Sequence, residues 1–133
     1  MANALYPLWK QELLQGSSNT ALTGTLKVAL VDTGTYTYSS SHQFLSSLSG
    51  VGGTAQTLGS KTYSAGVFDA ADVTFSAVAG TVTYEALVIY IDTGSSATSR
   101  LVAYIDTGVT GLPVTSNGGD ISVTWNASGI FAL

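Results

Sequence analysis

The run EALVIYIDTG, residues 85–94, decides the fold of this chain. Its residues 86–91 are apolar at every position, which is typical of a central β-strand whose two faces are both covered. Asp92 and Gly94 are suited to end such a strand, because an aspartate side chain accepts hydrogen bonds from nearby backbone amides and glycine accepts a positive φ. The run therefore predicts a sheet with this strand at its centre.

The same strand ending is repeated along the chain. The sequence YIDTG occurs at residues 90–94 and again at 104–108, and VDTG at 31–34 is a looser third copy. Two copies so close together predict adjacent strands of one sheet, since a solenoid repeat is longer.

Further stretches carry the alternation of apolar and polar residues that marks a half-buried strand. They lie at residues 26–30, 73–77 and 121–126, and Gly, Asp, Asn and Thr turns separate the strands. This pattern predicts a mainly β fold, either an antiparallel β-sandwich or a jelly-roll-like barrel. We expect a single β-sandwich domain that spans residues 1–133.

Two short helices fit the remaining sequence. The first is predicted at residues 7–15, because Pro7 suits a first helical position and Gly16 suits the stop. Residues 1–16 would then form an N-terminal helical arm. A second short helix fits residues 39–48, which carry serines suited to capping and apolar residues that could face inward.

The composition excludes several classes of function. Charged residues make up 9% of the 133 residues, against about 25% in an ordinary soluble domain, and the formal net charge is −4. Binding to nucleic acid or to an anionic membrane needs clustered Lys and Arg, and the chain has four such residues in all. We therefore expect neither partner. The first ten residues have no basic region and no unbroken apolar stretch, so no signal peptide is expected.

Thiol and zinc chemistry are also excluded. The chain has no cysteine and one histidine, so it offers no thiolate and no multi-histidine metal site. Asp69 and Asp72 lie close together, but calcium takes six or more oxygen ligands, and a turn with solvated acids is the favoured interpretation. We expect no cofactor and no metal.

The Asp-Thr-Gly copies raise the alternative of an aspartic protease. In such enzymes two carboxylates share a proton and activate water, and the candidates here are Asp32, Asp92 and Asp106. Turn formation is the favoured interpretation, because Asp and Gly are common turn residues. A serine hydrolase would have only His42 as its base, and the chain has no Gly-x-Ser-x-Gly motif. We expect no catalytic residues.

The N-terminal helix offers the candidate interaction residues. A helix of about nine residues does not hold itself together in water and must dock on another surface. That surface is either the sheet of the same chain or a neighbouring subunit. Tyr6, Trp9 and Leu13 are the side chains predicted to make the contact.

Five stretches of the chain resemble small virion structural proteins of tailed bacteriophages. They are ALYPLWKQELL at residues 4–14, VALVDTGTYTYS at 28–39, GVFDAADVTF at 66–75, EALVIYIDTG at 85–94 and GGDISVTWN at 118–126. The resemblance covers most of the chain and implies a structural role in a phage particle, with no catalytic residues.

From this resemblance and the composition we expect a non-enzymatic capsid decoration or cement protein. It would stabilise the phage head as a homo-oligomer in contact with a major capsid protein or another virion protein. Its location would be the virion, assembled in the host cytoplasm. The alternative is a tail or fibre-tip module that binds a host-surface glycan or protein through exposed tyrosines.

Overall fold

The computed structural model describes residues 3–133 and is mainly β. The helical elements are α1 (Pro7–Leu14) and a 3-10 turn at Leu45–Ser47. The strands are β1 (Ala4–Leu5), β2 (Leu26–Val31), β3 (Val51–Thr57), β4 (Thr62–Ser64), β5 (Val67–Asp69), β6 (Val73–Phe75), β7 (Thr83–Tyr84), β8 (Ala86–Ile91), β9 (Arg100–Ile105), β10 (Val114–Thr115), β11 (Ile121–Val123) and β12 (Phe131–Ala132).

The largest element is a five-stranded antiparallel sheet with the strand order β1-β9-β8-β2-β3. The predicted central strand is confirmed: β8 lies in the middle of this sheet, and all its residues are buried. The predicted adjacency of the repeated strands is confirmed as well, because β8 pairs with β9 on one side and with β2 on the other.

The antiparallel pairing decides which residues meet at each end of the sheet. Because β2 and β9 both run against β8, they end where β8 begins. The segments that follow Val31 and Ile105 therefore lie at the same end of the sheet as Glu85, which immediately precedes β8.

Three smaller antiparallel sheets contain the other strands: β12-β5-β4, β11-β6 and β10-β7. Their apolar side chains, including Phe75, Tyr84 and Val123, join those of the central sheet in one buried cluster. The chain is thus built from several antiparallel sheets around a common core. Within residues 3–133, no helix has both the length and the apolar character that crossing a membrane requires.

The N-terminal arm closes one edge of the central sheet. Strand β1 pairs with β9, and the amide of Tyr6 extends the pairing by donating to the carbonyl of Val102 at 2.9 Å. The predicted first helix is confirmed as α1, which begins at Pro7.

The predicted helix at residues 39–48 is largely wrong. Only Leu45–Ser47 is helical, and it forms a single 3-10 turn. The backbone around it bonds to the edge of β9 instead: the amide of Leu45 donates to the carbonyl of Ser99, and the amide of Leu101 donates to the carbonyl of Gln43. These long-range hydrogen bonds take the place of helical ones.

Candidate functional site: a tyrosine-lined pocket at the end of the central sheet

A pocket of about 450 Å³ opens at the end of the sheet where β2 and β9 finish and β8 begins. Its walls combine aromatic rings, hydroxyl groups and two carboxylates. The lining residues are Thr33, Tyr36, Thr37, Tyr38, Glu85, Tyr104, Asp106, Thr107 and Pro113. We call this the tyrosine pocket.

Glu85 supplies one carboxylate of the tyrosine pocket. Its backbone amide donates to the carbonyl of Val31 at 3.1 Å, which ties the start of β8 to the end of β2. Oε2 of the side chain accepts a hydrogen bond of 2.5 Å from the hydroxyl of Thr33. Oε1 is buried and has no hydrogen-bond partner. The carboxylate is therefore held in place through one oxygen while the other lacks a donor.

Asp106 supplies the second carboxylate, directly after β9. Its backbone amide donates to Oδ1 of Asn3 at 2.7 Å, so the N-terminal arm fixes this turn. Its side chain accepts a hydrogen bond from Tyr104. Sequence reasoning did not associate Asp106 with Glu85, because the two residues are separated by the whole β8–β9 hairpin.

Four tyrosines are linked by contacts with one another, and three of them, Tyr36, Tyr38 and Tyr104, line the pocket. The hydroxyls of Tyr6 and Tyr36 share a hydrogen bond of 2.8 Å, and the Tyr36 hydroxyl lies 2.7 Å from Nδ1 of His42. The ring of Tyr38 packs against Tyr6 at 5.1 Å and against Tyr104 at 5.6 Å between centroids. The network fixes the orientation of the rings that face the pocket.

The environment keeps these phenols neutral. Burial raises the pKa of Tyr104 to about 12, and the negative charge of Asp106, its hydrogen bond and the charge of Glu85 add to the effect. Burial also raises the pKa of Tyr6 far above its ordinary value, and the hydrogen bond with Tyr36 acts in the same direction. Near neutral pH the phenols are therefore protonated.

Two of the Asp-Thr-Gly aspartates bond to their own turns, as the turn interpretation predicts. Asp32 accepts hydrogen bonds from the amide of Gly34 at 2.8 Å and from the hydroxyl of Thr35 at 3.1 Å. Oδ1 of Asp92 accepts from the amide of Gly94 at 3.1 Å, and its Oδ2 lies 3.4 Å from Nζ of Lys27.

The directions of the strands place the candidate aspartates of the protease alternative at opposite ends of the sheet. Asp92 follows β8 and lies at the end of the sheet opposite to Asp32 and Asp106, which follow β2 and β9. Of the three, only Asp106 lines the tyrosine pocket. Its neighbour there is Glu85, which belongs to none of the Asp-Thr-Gly copies.

The remaining sequence candidates have hydrogen-bond partners within the protein. Oδ1 of Asp72 accepts from the amide of Trp125 at 2.9 Å, and Oδ1 of Asp69 accepts from the amide of Ala70 at 2.9 Å. His42 bonds through Nδ1 to the hydroxyl of Tyr36. In the described part of the chain, no group of three or more His, Cys, Asp or Glu side chains is arranged to hold a metal ion.

The predicted interaction residues of the N-terminal helix lie mostly inside the protein. Tyr6 and Trp9 are 0% and 1% exposed, and the Trp9 indole donates to the carbonyl of Thr20 at 2.9 Å. Leu13 is partly buried against the same core. Of the two alternatives, the helix thus docks on its own sheet. The contact of these residues with another subunit stays a prediction. Tyr6 and Trp9 are not at the surface, where such a contact would form.

A second surface feature lies on the β12-β5-β4 sheet. It is a shallow apolar depression of about 130 Å³, lined by Leu22, Tyr63, Gly66, Val67, Phe68, Phe131 and Leu133. Tyr63 and Leu133 are 50% and 67% exposed. We call this the apolar patch, and sequence reasoning did not find it because its strands β4, β5 and β12 are too short to show a pattern.

Comparison of the chain with protein-family models, with curated proteins and with solved structures finds no match. The tyrosine pocket and the apolar patch are therefore the features from which a function can be inferred.

Proposed function

We propose that this protein is a non-enzymatic structural component of a tailed-phage particle. In this role it decorates the capsid and stabilises the head as a homo-oligomer in contact with the major capsid protein. We further propose that the central sheet and the smaller sheets are the two layers of a β-sandwich with jelly-roll-like topology. The sequence resemblance suggests the particle, and the apolar patch supports association with other subunits.

The apolar patch is the single observation on which association depends. The chain has few charged residues, yet at this place Tyr63 and Leu133 expose large apolar side chains beside a depression with apolar walls. Exposed apolar residues scattered singly are common, whereas several grouped around one apolar depression favour an interaction site. Burying one such side chain contributes about 1.5–3 kcal/mol, and contacts repeated over a shell act together.

The core suits a component that must keep its shape. Both faces of β8 are covered, and β2 and β9 beside it are almost completely buried. Interiors packed in this way transmit strain and deform little. A decoration protein with such a core can present the same surface at every lattice position.

Removal of the protein from the particle tests this proposal. Particles assembled without it should lose resistance of the head to heat or osmotic shock and should still adsorb to cells. Unchanged head resistance together with lost adsorption would contradict the decoration role and support the second candidate.

The second candidate is a tail or fibre-tip module that binds a host-surface glycan or protein. The tyrosine pocket favours it, because a concave site with aromatic walls and a few fixed polar groups suits a small ligand or a protruding side chain. Replacement of Tyr38 by Ala in the particle should then lower adsorption and leave the head unchanged. Full adsorption of particles with the replaced chain would rule out a receptor role for the pocket.

A further inference from the structure

We propose that the tyrosine pocket binds an organic cation, namely a primary ammonium or a guanidinium group with a short apolar stem. Two sources present this chemistry: a lysine or arginine side chain of a partner protein, or a free alkylamine. The inference rests on the walls of the pocket and does not depend on the proposed role in a phage particle.

The charge of the walls points to a cation. Glu85 and Asp106 both line the pocket, and none of the other lining residues is basic. The carboxylates also lie in a partly enclosed site, where charges interact more strongly than in bulk water. A positively charged group is therefore attracted into the pocket, and an anion is repelled.

The hydrogen-bonding state of Glu85 points to a donor. Thr33 satisfies Oε2, while Oε1 is buried and has no partner. A buried carboxylate oxygen without a donor is unfavourable. Glu85 lines the pocket, so an ammonium or guanidinium group bound there would lie beside this carboxylate, and a hydrogen bond between the two would be charge-assisted.

The aromatic walls suit the same ligand. The rings of Tyr38 and Tyr104 lie 5.6 Å apart between centroids, at 55° to each other, and both border the pocket. The faces of tyrosine rings attract cations within about 6 Å of the centroid. The apolar stem of a lysine or arginine side chain can pack against the same rings, and the volume of about 450 Å³ has room for it.

A neutral sugar and a metal ion fit less well. A neutral sugar would cover both carboxylates without compensating their charge, which is costly when they lose water. Two carboxylates fall short of the oxygen ligands that calcium takes. Among residues 3–133, no larger cluster of metal-binding side chains is present.

Titration of the purified 133-residue chain with simple probes tests the proposal. We expect n-butylammonium and n-butylguanidinium to bind, as followed by calorimetry and by NMR shifts of Glu85 and Tyr104. The neutral probes n-pentanol and methyl glucoside should bind at least tenfold more weakly. Neutral probes that bind as tightly as the cations would overturn the proposal.

Variants locate the binding at the pocket. Glu85→Gln removes the charge without changing the shape and should weaken cation binding at least tenfold. Glu12→Gln is the matched control, because Glu12 is the other glutamate of the chain and bonds to Ser17 away from the pocket. Equal affinity of the Glu85→Gln and Glu12→Gln variants would overturn the proposal. If Glu85→Gln does not fold, Tyr38→Leu serves in its place and should lower the affinity at least threefold.

Peptide probes separate the two sources of the cation. If the ligand is a protein side chain, a capped lysine peptide should bind more tightly than n-butylammonium, and acetylation of the lysine should abolish binding. If the ligand is a free amine, n-butylammonium should bind at least as tightly as the peptide. Either result supports a cation site, whereas measurable binding of the acetylated peptide with the same affinity as the unmodified one would overturn it.

Discussion

Trp9 shows how a single side chain fixes a helix that is too short to be stable alone. Its ring is 1% exposed and packs edge-on against Phe131 at 6.1 Å between centroids, and its indole N–H donates to the carbonyl of Thr20. An isolated helix of eight residues is unstable in water, so this anchoring holds α1 in place.

Replacement of Trp9 by Ala should therefore lower the free energy of unfolding by about 3–5 kcal/mol, because it leaves a cavity and an unpaired carbonyl. If the helix docked instead on a neighbouring subunit, the other alternative that the sequence leaves open, the change would weaken association more than folding. Urea denaturation combined with light scattering separates the two effects. Normal stability of Trp9→Ala with a lost oligomer would contradict the structural account.

The buried tyrosines make the stability of the fold sensitive to pH in the alkaline range. The pKa of Tyr104 is raised from 10.0 to about 12, and that of Tyr6 is raised further. Between pH 10 and the raised pKa of each phenol, the folded protein keeps a proton that the unfolded chain releases. Stability is therefore fully present below pH 10 and is lost as the pH rises through this window.

We expect the free energy of unfolding to fall above pH 10 by up to about 1.4 kcal/mol per pH unit for each tyrosine involved. Denaturation curves measured between neutral and alkaline pH check this slope. In Tyr6→Phe the decline should be less steep, because one titrating phenol is removed. A stability that is constant up to pH 12 would show that the phenols are not buried as the structure describes.

At the scale of elements, the sequence pattern predicted the strands better than the segment at residues 39–48. The apolar run at 86–91 and the helix that begins at Pro7 are both local signals, and both are confirmed. The segment 39–48 carries an equally helical local signal. Its backbone nevertheless bonds to Ser99 and Leu101 on the edge of β9, which no local pattern shows.

Strand β3 depends on a glycine at one position. Gly52 pairs with Leu30, and the ring of Tyr84 occupies the space where a Cβ atom at residue 52 would lie. Gly52→Ala should therefore displace Tyr84 and lower stability by about 1–3 kcal/mol.

Gly59→Ala is the control for this change, because a Cβ atom at residue 59 meets no other atom within 4 Å. Thermal melts of the two variants should differ clearly, with the Gly59 variant close to the parent protein. Equal melting temperatures would show that the contact between residue 52 and Tyr84 does not constrain the sheet.

At the scale of the whole molecule, the tyrosine pocket could be predicted only in part. The repeated Asp-Thr-Gly endings imply adjacent strands, and from this the meeting of Glu85 with the segment after β9 could have been deduced. The contribution of Tyr36 and Tyr38 could not, because they lie in an irregular loop whose path depends on packing against Tyr6 and Tyr104.

The apolar patch leads to a testable prediction about association. Leu133→Ser should weaken self-association or binding to a partner and should leave the melting temperature nearly unchanged, since this side chain is 67% exposed. Leu14→Ser is the matched control, because Leu14 is 88% exposed and does not line the patch. Sedimentation velocity of the two variants checks this. Equal effects of the two changes would show that the apolar patch does not mediate association.

The copy number of the chain in purified particles tests the proposed role most directly. Quantitative mass spectrometry of intact particles, with the major capsid protein as the internal reference, measures this number. As a capsid decoration protein, the chain should be present in a fixed ratio to the capsid subunits and in comparable abundance. Its absence from the particles, or its presence in only a few copies, would contradict the decoration role.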